Sequence, residues 1–293
     1  MKDRKIQWHP GFVSAMNLEL IKYKEYLEFE KEYNLNTKPL EIDLLVIKKD
    51  AGVEIGNEIG KLFRGHNIME YKSPGGHLDI DVFYKAGAYA GLYKSYGSKV
   101  DERKAEDITV SLVREGKPEG LFAYFQEHGY RLSNEYRGIY YVEGNVLFPT
   151  QIIVTKELEE KEHVWLRALS ENVEEKDARM LLEQMKGIKE KGELELAEAV
   201  LEVMMEANER LVEGWKGDEN MLETLMEIME PQLQQREESG RKEGRKEGRK
   251  EGRKEAIQGT VGALRKFNHK DAEIKVIIMD EFGLTEQEAV EYF

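Results

Sequence analysis

The sequence predicts an α/β fold: a mixed sheet flanked by helices, followed by an all-helical C-terminal region. Three observations point there. Short β-rich runs alternate with helical periodicity up to about residue 155. From Lys156 to Glu238 the chain becomes acidic and rich in Met and Leu, as in LELAEAVLEVMMEANERLVEGW, and is nearly free of β-branched runs. Residues 241–256 then read RKEG, RKEG, RKEG, RKEA. The 293 residues suffice for one or two globular units, at ~100–200 residues each. The expected segments are 1–155, 156–240, 241–256 and 257–293.

Val13, Met16, Leu20, Tyr23 and Leu27 recur at three- and four-residue steps, which predicts one amphipathic helix from Phe12 to about Glu32. Pro39 precedes LEIDLLVIKK, a strand with at least one buried face, and the Gly-punctuated stretch 51–67 reads as short strands or turns. NIMEYK is a second strand, closed by Ser73-Pro74-Gly75-Gly76. Asp79 or Asp81 caps a helix running to about Tyr96. Ile108–Arg114 then reads as a strand, Pro118–His128 as a helix, and 139–154 as one or two strands.

The four-residue repeat drifts roughly 40° per unit around a helix, so it never builds an apolar stripe. Local Glu to Arg/Lys pairs add a few tenths of a kcal/mol each, while each Gly costs about 1 kcal/mol relative to Ala. A solvated linker helix of marginal helicity is the expectation. Beyond it, Gly283 and the Thr285-x-x-Glu288 start predict a small helical cap.

The net charge of −14 is unevenly spread. Residues 1–155 hold 21 basic and 23 acidic groups, whereas 156–240 hold 11 and 24. The near-neutral first half can therefore present a local basic face to a polyanion. No cysteine is present, which excludes disulfide scaffolds, thiolate zinc sites, Cys nucleophiles and iron–sulfur clusters. MKDRKIQWHPGF has no signal-peptide apolar region, and no apolar run approaches the ~18 residues needed to cross a bilayer. A cytoplasmic protein without membrane contact is expected. The six histidines show no HExxH pairing, and no P-loop, GxGxxG or GxSxG string occurs, so zincin, ATPase, Rossmann and serine-hydrolase readings fall away.

In LEIDLLVIKK, alternation puts Asp43 on one face with Leu45 and Ile47, an expensive place for an unpartnered carboxylate. The simpler alternative is a strand-end Asp satisfied by backbone N–H groups or a neighbouring Lys. In NIMEYK, Ile68, Glu70 and Lys72 share a face, the acid and the amine roughly 6–7 Å apart along the strand. Taken alone, Glu-x-Lys reads as an ordinary charge pair on an edge strand.

The order of an amphipathic helix, a strand with Asp43, a strand with Glu70-Tyr71-Lys72 and a small-residue-rich helix resembles the PD-(D/E)xK nuclease superfamily. The wording PLEIDLLVIKK, NEIGKLFRGHNIMEYKSP and LDIDVFYKAGAYAGLYK looks like its bacterial, transposase-associated branch near the Rpn recombination-promoting nucleases. The likeness covers roughly residues 5–155. It implies a restriction-endonuclease-like core and a Mg²⁺-dependent DNA endonuclease, Mn²⁺ being a plausible substitute, linked to recombination or mobile elements. On that resemblance Asp43 and Glu70 bind the metal and Lys72 is the motif lysine. Ile42 stands where the name-giving proline would be. The chemistry is consistent, since Mg²⁺ prefers hard carboxylate oxygens and substrate phosphate.

Many members of the superfamily add an acid from the first helix. Glu19 is the candidate here, because Met16 at i−3 and Tyr23 at i+4 place it within the apolar face; a rim residue paired to Lys22 is the alternative. Lys85 and Tyr89, at i and i+4, are candidates for touching substrate, although Tyr84, Tyr89 and Tyr93 also fit a core role. The Met and Leu helices read as core, with a homo-oligomer contact through them as a further expectation. A non-catalytic module that keeps the nuclease scaffold to bind nucleic acid or protein is the rival reading.

Overall fold

A computed structural model describes residues 6–34, 41–50, 52–215 and 218–293. The chain divides into two units, Met1–Leu225 and Met226–Phe293.

The first unit opens with helix α1 (Trp8–Glu19), a 3₁₀ stretch Ile21–Tyr26, and strands β1 (Leu27–Asn34), β2 (Glu41–Lys48) and β3 (His66–Lys72). Helix α2 (Ile80–Ser95), strand β4 (Ile108–Arg114), helix α3 (Glu119–Glu127) and strands β5 (Arg131–Tyr136), β6 (Ile139–Glu143) and β7 (Thr150–Val154) follow. The seven strands form one sheet in the order β1-β2-β3-β4-β7-β6-β5. It is mixed: β3, β4 and β7 run parallel and the remaining pairs antiparallel.

The expected helix over Phe12–Glu32 is corrected here: α1 stops at Glu19 and the chain turns into β1. LEFEKEYN alternates Leu27, Phe29 and Tyr33 against Glu28, Glu30 and Glu32, a period-2 pattern that fits a strand. Pairing Leu27 with Lys48 through Asn34 with Glu41 gives each backbone a ladder partner that a solvated helix end would lack. Glu25 therefore lies in the 3₁₀ stretch and Glu28 on β1, not on a continuous amphipathic helix. Pro39 and Leu40 lie outside the described residues. Strand β5 also escapes the sequence reading, because RLSNEY is polar and none of its six residues is fully buried.

On one sheet face, Ile68, Val110, Leu112, Ile152 and Val154 pack against Phe83, Ala86, Tyr89 and Tyr93 of α2 and Phe125 of α3. The N-cap Asp79 starts α2 by accepting from the Val82 N–H at 3.0 Å. On the other face Phe12 of α1 stacks on Tyr71 with ring centroids 4.4 Å apart. Here a row of buried polar side chains holds down the irregular segment 52–65. Asn67 accepts from the Arg64 N–H at 2.7 Å and donates to the Arg64 carbonyl at 2.8 Å, and Gln151 donates to the Ile59 carbonyl at 3.0 Å. Loop backbone laid over a sheet needs such partners, because water cannot reach it.

Helices α4 (Val164–Arg167), α5 (Glu175–Lys186), α6 (Lys191–Ala207) and α7 (Glu209–Gly214) complete this unit, which ends inside α8 (Glu219–Lys266). The division falls well beyond the composition change at 155, since α1 packs directly against α4 and α6. Arg167 fastens the junction. It donates to the carbonyls of Lys156 and Leu158 at 2.8 and 3.0 Å and forms a forked pair with Asp177 at 2.8 and 3.3 Å.

In the second unit, the end of α8 packs with α9 (Asp271–Phe282) and α10 (Glu286–Val290) around Ile257, Val261, Ile274, Ile278 and Ala289. Gly283 ends α9 with φ +61°, a value that favours glycine. The Thr285 N–H donates to Glu288 Oε2 at 2.8 Å, so the predicted cap is present. The RKEG segment, expected to be marginal, lies within helix α8. Among the described residues no helix is long and apolar enough to cross a membrane.

Breaking one side of a buried, forked ion pair leaves the other charge uncompensated. Asp177→Ala is expected to lower unfolding free energy by about 3 kcal/mol, read by urea denaturation. Lys176→Ala, on the exposed side of the same helix, should leave it nearly unchanged.

Candidate active site

The β2–β3 register pairs Leu44 with Met69 and Leu45 with Ile68. The paired register ends at Leu44 and Met69, and Asp43 and Glu70 are the next residues of the two strands, close enough for the Glu70 charge to act on Asp43. Leu45 and Ile68 belong to the core on the α2 side, and Glu70 meets Lys85 of that helix, whereas Asp43 lies against His9 of α1. Lys72, two residues along β3, and Lys85 from α2 meet Glu70: their Nζ atoms lie 2.7 and 3.5 Å from Glu70 Oε1. The Glu70 side chain is only 4% exposed, and the two ammonium groups supply its compensation.

Asp43 is held differently. Its Oδ2 accepts from the Tyr71 N–H at 2.8 Å and lies 3.8 Å from His9 Nε2. Burial, and secondarily the Glu70 charge, raise the Asp43 carboxyl above its ordinary range, against the opposing pull of the Tyr71 N–H, His9 and Lys72. An open cleft of about 380 Å³ reaches Asp43 past His9, Pro10 and Lys31. Asp43 thus borders Glu70 on one side and a cleft with His9 and Lys31 in its wall on the other.

Three predicted residues, Asp43, Glu70 and Lys72, are brought together, and Lys85 joins them. The bond from the Tyr71 N–H also shows that the simpler reading of Asp43, a strand-end acid held by backbone, describes part of its role. Glu70 and Lys72 do form a charge pair, on an interior strand rather than an edge.

Tyr89 is 5% exposed within the core on α2, with Lys85 Nζ 5.0 Å from its ring centroid. It touches the site through that ammonium group, whose pKa its hydrogen bond helps the Glu70 charge raise against burial.

Glu19 is absent from this site. It ends α1, ten residues beyond His9, or about 15 Å along the helix. Its buried carboxylate accepts instead from His163 Nδ1 at 2.9 Å and from the Leu166 N–H at 3.4 Å. His163 Nε2 lies 3.3 Å from Glu58 Oε2. The apolar face around Glu19 was legible, but the partner that satisfies it comes 144 residues later. Sequence reasoning likewise missed His9, because nothing local to WHPG links it to Asp43.

The remaining acids do not add a third ligand: among the described residues no group of three or more His, Cys, Asp or Glu gathers as a metal cluster. Two carboxylates still fit Mg²⁺, which is commonly held by one or two acids plus waters and phosphate. The Asp43 carboxyl is raised mainly by burial and secondarily by the Glu70 charge, and a hard cation would offset both. No family model, curated protein or solved structure matches the chain.

The Glu19–His163–Glu58 set gives a pH signature. Burial alone would lower the His163 pKa, but the bonds and charges of Glu19 and Glu58 outweigh it and raise the imidazole above its ordinary 6.5. Burial likewise raises Glu19, against the His163 bond. Groups raised in the folded state stabilise fully below their unfolded pKa, and that stabilisation is lost as pH climbs through the folded pKa. The melting temperature is therefore expected to fall from pH 6 upward through the range above 6.5. Differential scanning fluorimetry across pH checks this; an equal slope in Glu19→Gln would remove the explanation.

Proposed function

We propose that the protein is a Mg²⁺-dependent endonuclease that hydrolyses phosphodiester bonds in DNA. The observation that carries this reading is the charge interaction of Asp43 with Glu70 across β2 and β3, with Lys72 and Lys85 on Glu70 and a cleft opening at Asp43. Its fold component is a mixed sheet with the acids on strands β2 and β3 and the helix α2 following, consistent with the PD-(D/E)xK resemblance.

Asp43 and Glu70 would hold Mg²⁺, or Mn²⁺, through hard carboxylate oxygens. When bound, the metal supplies an activated water near neutral pH and counter-charge for the phosphate. Lys72 is placed to orient that water or to bind a phosphate oxygen, and its ammonium offsets charge as the bond to phosphorus forms. Lys85, with its stem over Tyr89, adds a second cation on the same side. His9 and Lys31 line the approach to Asp43, where an incoming phosphate meets the Lys31 charge and the His9 ring nitrogens. The reading places the protein in the cytoplasm, in a recombination or mobile-element setting.

A specific observation favours a second reading, a catalytically inactive nuclease scaffold that binds nucleic acid or protein. Glu70 is nearly sealed and already neutralised by two lysines, and the Tyr71 N–H occupies one Asp43 oxygen.

Two measurements decide. Supercoiled plasmid nicking in Mg²⁺ should fall at least 100-fold in Asp43→Asn and in Lys72→Ala. Wild type should also gain several degrees in melting temperature with millimolar Mg²⁺, a gain absent in Asp43→Asn. Without metal, Asp43→Asn should melt at or above wild type, because it removes an acid whose ionisation burial opposes. Lys72→Ala should melt lower, since Glu70 loses its nearest cation. Undiminished nicking by both variants would overturn the catalytic assignment.

A further inference from the structure

The RKEG segment carries a surface that the sheet domain does not use. A helix turns about 100° per residue, so each four-residue unit advances about 40°. Over the units from 245 to 256, the arginines and lysines sweep ~0–180° around the axis, while Glu251 and Glu255 fall at ~240–280°. The repeat therefore sorts charge into a basic ribbon that winds slowly around α8, with acid and glycine on the opposite side. Arg245, Lys246, Arg249, Lys250 and Arg253 border a shared open groove of about 440 Å³. The first four are exposed, and among the described residues no ion pair engages them. Arg253 ends the ribbon by donating to the Phe282 carbonyl.

The spacing of four also stacks each residue on its own kind. Arg245, Arg249 and Arg253 share one column, and Lys246, Lys250 and Lys254 the next. Like charges at i and i+4 destabilise a helix, whereas Glu four residues before Lys would stabilise it. Glu at i−3 partly offsets the lysines, but the arginine column has no acid three or four residues away within the repeat, and an external polyanion would relieve its repulsion.

We propose that this ribbon, centred on Arg245, Lys246, Arg249 and Lys250, is a nucleic-acid-binding surface that tracks the phosphates of DNA. Its cations repeat about every 6 Å along the axis, and a phosphodiester chain offers a regular charge array by construction. Arginine forks suit phosphate oxygens. A lipid surface fits poorly, because no apolar residue lies between Arg241 and Glu255 to enter it. The proposal does not depend on the catalytic site.

The test is fluorescence anisotropy of the full chain with a labelled 20-base-pair duplex, in EDTA to prevent cleavage, over a KCl series. The quadruple variant R245Q/K246Q/R249Q/K250Q should bind at least tenfold more weakly at 0.1 M salt, with the slope of log affinity against log salt reduced by about 3. Glu251→Gln with Glu255→Gln should tighten binding, which separates charge from folding. Arg245→Lys with Arg249→Lys should keep the slope. Unchanged affinity and slope in the quadruple variant would overturn the proposal, as would binding by wild type to phosphatidylserine vesicles without binding to the duplex. Because the assay runs without metal, loss of nicking and loss of binding are read separately.

Discussion

The antiparallel register of β2 against β3 is the constraint on which both core and candidate site depend. Leu44, Leu45, Ile68 and Met69 are all fully or nearly fully buried, and the ladder that pairs them ends where Asp43 and Glu70 follow, with Asp43 accepting from the Tyr71 N–H. A one-residue slip would turn each strand's alternate residues to the wrong face. It would therefore expose aliphatic side chains and separate the acids at once. Selection for a stable core at these positions also holds the carboxylates in place.

The same sheet separates two buried ionic systems. On the α2 side, Glu70 is compensated by Lys72 and Lys85, and the aromatic floor of Tyr89 supports the second lysine. Elsewhere Glu19, His163 and Glu58 join the end of α1 to the segment leading into α4. The forked Arg167–Asp177 pair acts in the same region. These contacts bind the acidic helices 164–214 to the sheet as one unit, although their composition differs so sharply from it. Composition marks where the chain changes character; packing decides where a folded unit ends.

Strand β4 and helix α2 were legible almost to the residue, since each has a clean local pattern and α2 has its Asp79 cap. Strand alternation put Glu70 and Lys72 on one face, and it was the resemblance in motif order that joined Asp43 to them as a set. Strand β1 was not legible: Leu20, Tyr23 and Leu27 continue the three- and four-residue steps of α1, so two periods overlap and the helical one hides the strand. Glu19 failed for a different reason. Periodicity reports that a side chain is buried, and its partner's identity is set by a tertiary contact with His163. Lys85 and Tyr89 share a helix face as i and i+4 neighbours; the longer, charged side chain reaches Glu70 while the ring stays in the core.

Charge compensation at the candidate site is asymmetric, and the asymmetry bears on its chemistry. Both lysines sit on Glu70, whereas Asp43 has a backbone N–H and a histidine nitrogen at 3.8 Å. The raised Asp43 carboxyl is the consequence: burial and its neighbour's charge oppose ionisation, and its local cations do not fully answer them. A purely structural acid could be replaced by an amide that keeps the Tyr71 bond without that electrostatic cost. The carboxylate gains a reason to be there when a cation is brought to the cleft at Asp43. That is the side open to solvent, and the side on which His9 and Lys31 would meet a phosphate.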